Sequence, residues 1–171
     1  MNEADLNSAV DYVNNNSKYI EELTDSIVEM HCQELDDYIK YVKALLDDVN
    51  TPIRNEELDD IVLTIPTLLY FVGSVQETLG IREDVAKMDE TFKYNKAIID
   101  GDGTIAVKQA FAKLQTKNES LATIVYQRAC KKVKYKCDYA LEILQSCKKI
   151  LSRRQAELEL SQNSFNRNVN N

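Results

Sequence analysis

Apolar residues recur at helical spacing between Lys18 and Val49. They are Ile20, Leu23, Ile27 and Met30, followed by Leu35, Tyr38, Val42, Leu45 and Val49. Steps of three and four residues place them on one side of a helix, and one step of five near His31 shifts the stripe. The pattern predicts an amphipathic helix of coiled-coil character that ends at Asn50-Thr51-Pro52. We expect this stripe to mediate self-association through Ile20, Leu23, Ile27, Leu35, Tyr38, Val42 and Leu45.

Polar and helix-breaking residues set the other expected boundaries. Asn14-Asn15-Asn16-Ser17 should separate a short helix, with Leu6, Val10 and Val13 on one face, from the helix that Ser17 caps. A second helical stretch begins near Asn55, and Pro66 should kink or break it. Asp100-Gly101-Asp102-Gly103 predicts a loop before a third helix. A long last helix runs from about Leu121 to Leu158, and the polar composition from Ser161 predicts a disordered tail.

Glycine and proline are rare, with four and two copies in 171 residues. Sandwiches and doubly wound sheets need more turn residues than this, whereas long helices need few. The expected fold is therefore all-α, an elongated helical bundle or coiled coil with long antiparallel helices. We expect one domain over residues 1–160 and a flexible tail over residues 161–171.

The sequence shows neither of two features that would direct a protein out of the cytoplasm, a leader and a membrane span. We find no basic, apolar leader at the start and no apolar run close to the roughly 18–20 residues of a membrane span. A cytoplasmic protein without a membrane partner is expected. The four cysteines, Cys32, Cys130, Cys137 and Cys147, form no CxxC pair, and we interpret them as buried or half-buried free thiols.

Charge is distributed very unevenly along the chain. Residues 1–91 carry 21 acidic and 6 basic residues, a net charge of −15, whereas residues 92–171 carry 7 acidic and 15 basic residues, a net charge of +8. Such asymmetry suggests a basic surface for a polyanion and an acidic surface for another role.

Catalytic signatures are missing from the sequence. Neither GxxxxGK nor GxGxxG occurs, and the only histidine is His31. The loop at Asp100 begins like an EF-hand, but its twelfth position, where calcium needs a bidentate Glu, is Phe111. Acidic pairs such as Asp36-Asp37 fit solvated helix faces. We therefore expect no enzyme activity, no metal and no cofactor.

The basic half has a composition that suits single-stranded nucleic acid. Its cations are interleaved with aromatic residues, and Arg128, Lys131, Lys132 and Lys136 fall on one stripe of a helix. Cations can bind phosphates while exposed bases stack on the rings. A solvated helix face, with tyrosines as ordinary amphipathic core, explains the same residues equally well.

Part of the chain resembles the UvsY family of recombination mediators from T4-type phages. The resemblance runs from about Tyr70 and covers roughly 90 residues. It rests on Lys93-Tyr94-Asn95-Lys96, the acidic glycine loop at Asp100, Cys137-Asp138-Tyr139-Ala140-Leu141, and the segment from Ile150 to Glu157. The acidic first 60 residues have no counterpart in the family that we can place.

The resemblance implies a ring-like homo-oligomer that binds single-stranded DNA without a metal or nucleotide. It would help a RecA-like recombinase to load onto DNA covered by a single-strand-binding protein, in the host cytoplasm if a phage encodes it. The DNA-binding candidates are Lys93, Lys96, Arg128, Lys131, Lys132, Lys134, Tyr135 and Lys136. The alternatives are a helical structural or adaptor protein, such as a phage assembly chaperone, and an inhibitor that mimics DNA, each acting through the acidic half.

Overall fold

The described part of the chain is all-α. A computed structural model describes the backbone of residues 3–48 and 51–169 and the side chains of residues 17–48 and 51–162. Over these ranges the chain forms four helices and no strand: α1 Glu3–Asp47, α2 Asn55–Asp100, α3 Ile105–Gln115 and α4 Lys117–Val169. The predicted all-α class is confirmed. The side chains of the tail expected from Ser161 lie almost entirely outside the described residues.

Contacts group the chain into two compact units. Unit 1 consists of Met1–Gln33 and Ser74–Lys134, and unit 2 of Glu34–Gly73 and Tyr135–Asn171. Helices α1, α2 and α4 each contribute a segment to both units. The expectation of one domain over residues 1–160 therefore stays a prediction.

Unit 1 has a core built largely from small side chains. Among the side chains that the structure describes there, the buried ones are Thr24, Val28, Cys32, Leu79, Ala112, Thr116, Val125, Ala129 and Val133. Thr24 satisfies its hydroxyl by donating to the carbonyl oxygen of Ile20 at 2.7 Å. Because small residues bury little apolar area, this core contributes less hydrophobic stabilisation per residue than one of Leu and Ile.

Unit 2 has a core of larger aliphatic side chains. Its buried residues are Leu35, Val42, Leu58, Ile61, Ile65, Val72, Ala140, Ile143, Leu144 and Cys147. Here the tyrosine hydroxyl of Tyr38 donates to Asp60 at 2.8 Å and links α1 to α2. Burial, followed by the hydrogen bond with Asp60, raises the pKa of Tyr38 to about 12.

Contacts along α4 give the helix directions within unit 2. Lys136 contacts α1 at Asp36, near the start of the α1 segment, and Arg154 contacts Asn55 at the start of α2. Since Asn55 follows the end of α1 after a short connection, α4 runs parallel to α1 and antiparallel to α2. This is the expected bundle of long helices with antiparallel neighbours.

The predicted break at Asn14–Ser17 is wrong, because α1 continues through these residues. Asparagine and serine lower helix propensity by well under 1 kcal/mol each relative to alanine, so a run of four need not end a long helix.

Helix α2 also continues past Pro66, so a break there is wrong. The proline is exposed. The carbonyl group of Val62, which loses its backbone partner at this proline, can then bind water instead.

The predicted loop between the second and third helices is confirmed. Gly103 has φ of 104°, a left-handed conformation that glycine adopts without strain, and Thr104 follows as the N-cap residue of α3. The junction between α3 and α4 is a single residue, Thr116. Its backbone N–H and its hydroxyl both donate to the carbonyl oxygen of Ala112 at 3.0 Å.

Helix α2 is more apolar than the sequence pattern suggested. Residues 61–75 contain no charged residue. By length and composition alone, α2 could cross a membrane, with a mean hydropathy of 1.5 and 22% of the apolar window buried. Such a helix is weak evidence for a span, but the expectation that no run of this length exists is wrong. Thr64, Pro66 and Thr67 interrupt the run without making it hydrophilic.

Truncating Ile65 should destabilise the protein far more than truncating Leu63. Ile65 is fully buried in unit 2, whereas Leu63 on the same helix is 73% exposed. Ile65→Ala should lower the free energy of unfolding by about 2–5 kcal/mol, and Leu63→Ala by about 0.5 kcal/mol or less. Urea unfolding followed by circular dichroism measures both values. Equal losses would contradict the assigned core face of α2.

Candidate nucleic-acid interface

Two of the predicted DNA-binding lysines lie together at the end of α2. Lys93 and Lys96 line a groove of about 270 Å³ in unit 1, opposite Phe111 and Gln115 of α3. Phe111 is 49% exposed. Two ammonium groups beside an accessible ring can bind a phosphate and stack a base, although Asp100 also lines the groove. We call this the unit 1 groove.

Lys93 already has a partner inside unit 1. Its ammonium group donates to Glu119 in the first turn of α4, and Glu119 is mostly buried. This hydrogen bond and the attraction between the charges raise the pKa of Lys93, and the same hydrogen bond lowers the pKa of Glu119. Lys96 makes no ion pair within the described residues, so it is the more available cation.

A polar layer behind the unit 1 groove fastens α2 to α4. Glu90 accepts hydrogen bonds from Ser120 at 2.5 Å and from Thr123 at 2.9 Å. These hydrogen bonds and the Lys93–Glu119 pair fix how the end of α2 lies against α4. The second carboxylate oxygen of Glu119, Oε2, is buried without a hydrogen-bond partner in this part of the structure.

The predicted cationic stripe on α4 is partly neutralised by α1. Lys132 donates to Asp25 at 2.5 Å within unit 1, and Lys136 donates to both oxygens of Asp36 at 2.5–2.6 Å within unit 2. Arg128 lines a separate groove with Ser17, Ile20, Glu21 and Thr24 of α1. Among the described residues, Lys131 and Lys134 make no ion pair.

A second groove, in unit 2, brings the predicted Tyr135 and Lys136 together with Lys40 and Lys43 of α1, which were not predicted from the sequence. It has a volume of about 450 Å³ and is lined by Asp36, Ile39, Lys40, Lys43, Tyr135, Lys136 and Tyr139. Tyr135 is 69% exposed and Tyr139 is 49% exposed. Lys40 pairs with Asp37 at 2.9 Å. We call this the unit 2 groove, and it gathers three lysines and two accessible aromatic rings.

Each unit contains segments from both the acidic half and the basic half of the sequence. Unit 1 contains 15 acidic and 12 basic residues, a net charge of −3, and unit 2 contains 13 acidic and 9 basic residues, a net charge of −4. Neither unit is basic as a whole. Any attraction for a polyanion must therefore come from local clusters such as the two grooves.

Most residues predicted for self-association are buried or partly buried within the units of a single chain. Leu35 and Val42 are buried, and Ile20, Ile27, Tyr38 and Leu45 are partly buried. Only Leu23, at 36%, reaches the exposed range. The side chains Leu35 and Val42 therefore pack within a single chain. Self-association itself stays a prediction.

The four cysteines are thiols, as predicted. Cys32 and Cys147 are buried, and Cys130 and Cys137 are half-buried. Burial raises the pKa of the Cys130, Cys137 and Cys147 thiols. Among the described residues, no group of three or more His, Cys, Asp or Glu side chains is placed to hold a metal ion.

Comparisons with known protein families, with curated proteins and with solved structures found no match to this chain. The resemblance to recombination mediators therefore stays a prediction, and the residues and their geometry carry the functional argument.

The Lys93–Glu119 pair should make stability depend on pH in the acid range. Because the pKa of Glu119 is lowered in the folded state, its contribution is present above the unfolded pKa near 4.5 and is lost as the pH falls through the folded pKa. At pH 7 both partners are charged. Glu119→Gln should therefore lower the melting temperature at pH 7, and the difference from the parent should shrink as the pH falls below about 4.

Thermal unfolding of Glu119→Gln and of the matched variant Glu29→Gln, measured between pH 3 and pH 7, tests this expectation. Glu29 is exposed. A pH-independent difference for Glu119→Gln, or the same profile for both variants, would show that the ion pair does not contribute in the way described.

Proposed function

We propose that this protein is a non-catalytic, oligomeric accessory protein that binds single-stranded DNA, of the recombination-mediator type. The observation that carries the proposal is the unit 2 groove, where Lys43 and Lys136 lie beside the accessible rings of Tyr135 and Tyr139. The unit 1 groove repeats the combination with Lys96 and Phe111.

The chemistry of these grooves favours a single strand over a duplex. In a duplex the faces of the bases are stacked on one another and cannot reach a protein ring. In a single strand each base can stack on a tyrosine or phenylalanine, which contributes about 1–3 kcal/mol per base. Lysine ammonium groups bind the neighbouring phosphates without reading the sequence.

The acidic residues of α1 would moderate this binding. Asp36 holds the ammonium group of Lys136 and so competes with a phosphate for the same hydrogen-bond donors. Asp25 does the same to Lys132 in unit 1. The acidic first half of the sequence would thus act through two defined carboxylates as well as through its overall charge.

The protein partners in this proposal come from the family resemblance alone. They are a RecA-like recombinase and a single-strand-binding protein, met in the cytoplasm. No nucleotide, metal or other cofactor is needed for binding of this kind, because lysines and aromatic rings supply all the proposed contacts.

A second candidate function is that of a helical adaptor protein. It is favoured by large apolar side chains exposed on α2 in unit 2, where Leu63, Tyr70 and Phe71 are 73%, 78% and 60% exposed. Exposed apolar patches of this kind mark interaction surfaces. If the protein does not bind single-stranded DNA, this function takes the lead.

Single-stranded DNA binding should weaken with salt and depend on the unit 2 groove. For the parent, the logarithm of affinity should fall by about 0.7 per phosphate contact for each tenfold rise in salt. Lys43→Glu with Lys136→Glu should weaken binding and flatten this dependence, and Tyr135→Ala should weaken binding without flattening it. Fluorescence anisotropy with a labelled oligonucleotide at 50–200 mM salt measures these changes.

The matched control is Lys148→Glu with Lys149→Glu, which reverses two exposed cations of α4 outside both grooves. It should reduce affinity less than the groove variant. Equal losses would mean that the groove does not localise the DNA, and a parent that does not bind at low salt would exclude the proposed function.

Removing the carboxylate of Asp36 should strengthen DNA binding. Asp36→Asn frees the ammonium group of Lys136 for a phosphate, so affinity should rise several-fold and the salt dependence should steepen by about 0.7. Asp47→Asn is the control, because it makes the same charge change on α1 outside the groove. The same titration compares the two, and an equal rise would indicate a general effect of net charge.

Deleting residues 1–50 would test the role of the acidic half less directly than these point substitutions do. That deletion removes Val28, Cys32, Leu35 and Val42, which are buried in the two units, and should therefore unfold the protein.

A further inference from the structure

Helix α2 carries an apolar stripe in unit 1 on the side opposite its buried face. Ile81, Val85, Met88 and Phe92 are 59%, 51%, 71% and 69% exposed, whereas Leu79 is fully buried. The steps of four, three and four residues are those of the a and d positions of a coiled coil. The stripe continues at the same spacing to Thr78 on one side and to Asn95 on the other.

The spacing of the apolar positions in this stripe is symmetric about its midpoint. Its midpoint lies between Ala86 and Lys87, so an antiparallel copy of the helix places Ile81 against the partner's Phe92, and Val85 against the partner's Met88. The same arrangement places Thr78 against the partner's Asn95. Apolar residues then meet apolar residues and the two polar ends meet each other, as a two-fold interface requires.

The charges beside the stripe agree with the same alignment. Arg82 and Asp89 are exposed on one edge of the stripe, seven residues apart, and Arg82 makes no ion pair within the described residues. In the antiparallel alignment, Arg82 lies beside the partner's Asp89. Two-fold symmetry forms this ion pair twice.

Other alignments of two α2 helices are less favourable. Shifting the antiparallel pair by one heptad brings Arg82 beside the partner's Lys96 and Asp89 beside the partner's Asp89. A parallel pair brings Asp84 beside the partner's Asp89. Like charges at flanking positions destabilise a helix pair, so the charge pattern selects the first alignment.

A groove between α2 and α4 lies beside the stripe and could accommodate the flank of a second helix. Ile81, Arg82, Val85, Ala86 and Asp89 line a groove of about 310 Å³ in unit 1. Its other wall is formed by Glu119, Ala122 and Tyr126. Arg82 and Asp89 face this groove, which places the charged edge of the stripe where the flank of an incoming helix would lie.

We propose that two copies of this chain associate through residues 78–95 of α2, antiparallel, with Arg82 of each copy paired to the partner's Asp89. The overlap is about 27 Å long, since a helix rises about 1.5 Å per residue. Such a short contact is smaller than a standard interface, so the dimer should form in the micromolar range. The dimer should form in the absence of DNA, so the DNA titration tests the proposed function separately.

Charge exchange across the interface tests both the partner and the alignment. Arg82→Asp alone and Asp89→Arg alone each place like charges opposite one another and should weaken the dimer at least tenfold. The double variant restores two opposite-charge pairs and should return to within about threefold of the parent. Sedimentation velocity of the full chain at 1–200 micromolar gives each dissociation constant, and circular dichroism verifies folding.

Matched controls separate the interface from general charge effects. Lys117→Asp repeats the charge change of Arg82→Asp, and Glu29→Arg repeats that of Asp89→Arg, each at an exposed position outside the stripe. Both should dimerise like the parent. Met88→Asp, which places a charge in the stripe, should be a folded monomer.

Three results would overturn the proposal. The first is a parent that is monomeric at 200 micromolar, and the second is a double variant that stays as weak as the single ones. The third is a Met88→Asp variant that dimerises like the parent. A monomeric parent that floats with phosphatidylcholine vesicles would assign the stripe to a lipid surface instead, and would also overturn the proposal.

Discussion

The constraint with the widest consequences is that α2 is apolar on two opposite sides. One side supplies Leu58, Ile61 and Ile65 to the core of unit 2 and Leu79 to that of unit 1. The other side leaves large apolar residues such as Leu63 and Met88 exposed to water. Exposed apolar surface of this kind is typical of interaction sites, and the proposed pairing of two α2 helices would cover part of it.

The composition of the unit 1 core has a similar consequence. Small residues such as Thr24, Cys32 and Ala129 fill it, while larger neighbours such as Met30 stay exposed. Among the side chains described in this unit, the buried ones are mostly small, and several large apolar ones are exposed. Burying the stripe of α2 would add hydrophobic stabilisation to this unit. Association and folding of unit 1 would then support each other.

Helices could be predicted from the sequence more reliably than the side chains that meet between them. The 3-4 spacing predicted the long helices, and the start of α2 at Asn55 and the Asp100–Gly103 loop were also predicted correctly. The apolar face predicted for α1 included Leu23 and Met30, but these side chains are exposed and the structure buries Thr24 and Cys32 instead. A prediction based on hydrophobicity favours large apolar residues and overlooks small ones. Lys43 was missed for a different reason: it lies in the acidic half, and only tertiary packing brings it to Tyr135.

Charge and oligomerisation would together determine the free energy of the proposed strand binding. Exposed ion pairs such as Lys132–Asp25 stabilise a fold by at most about 1 kcal/mol, so a phosphate can replace the carboxylate at modest cost. A single groove with two or three lysines nevertheless binds a strand weakly at physiological salt. Linking two copies makes the second binding event intramolecular and raises the overall affinity without new contacts. By thermodynamic linkage, a strand that spans both copies must strengthen the α2 pairing by the same factor by which the pairing strengthens strand binding. A chain with a net charge of −7 would then hold DNA firmly as a dimer, whereas a single copy would bind it weakly.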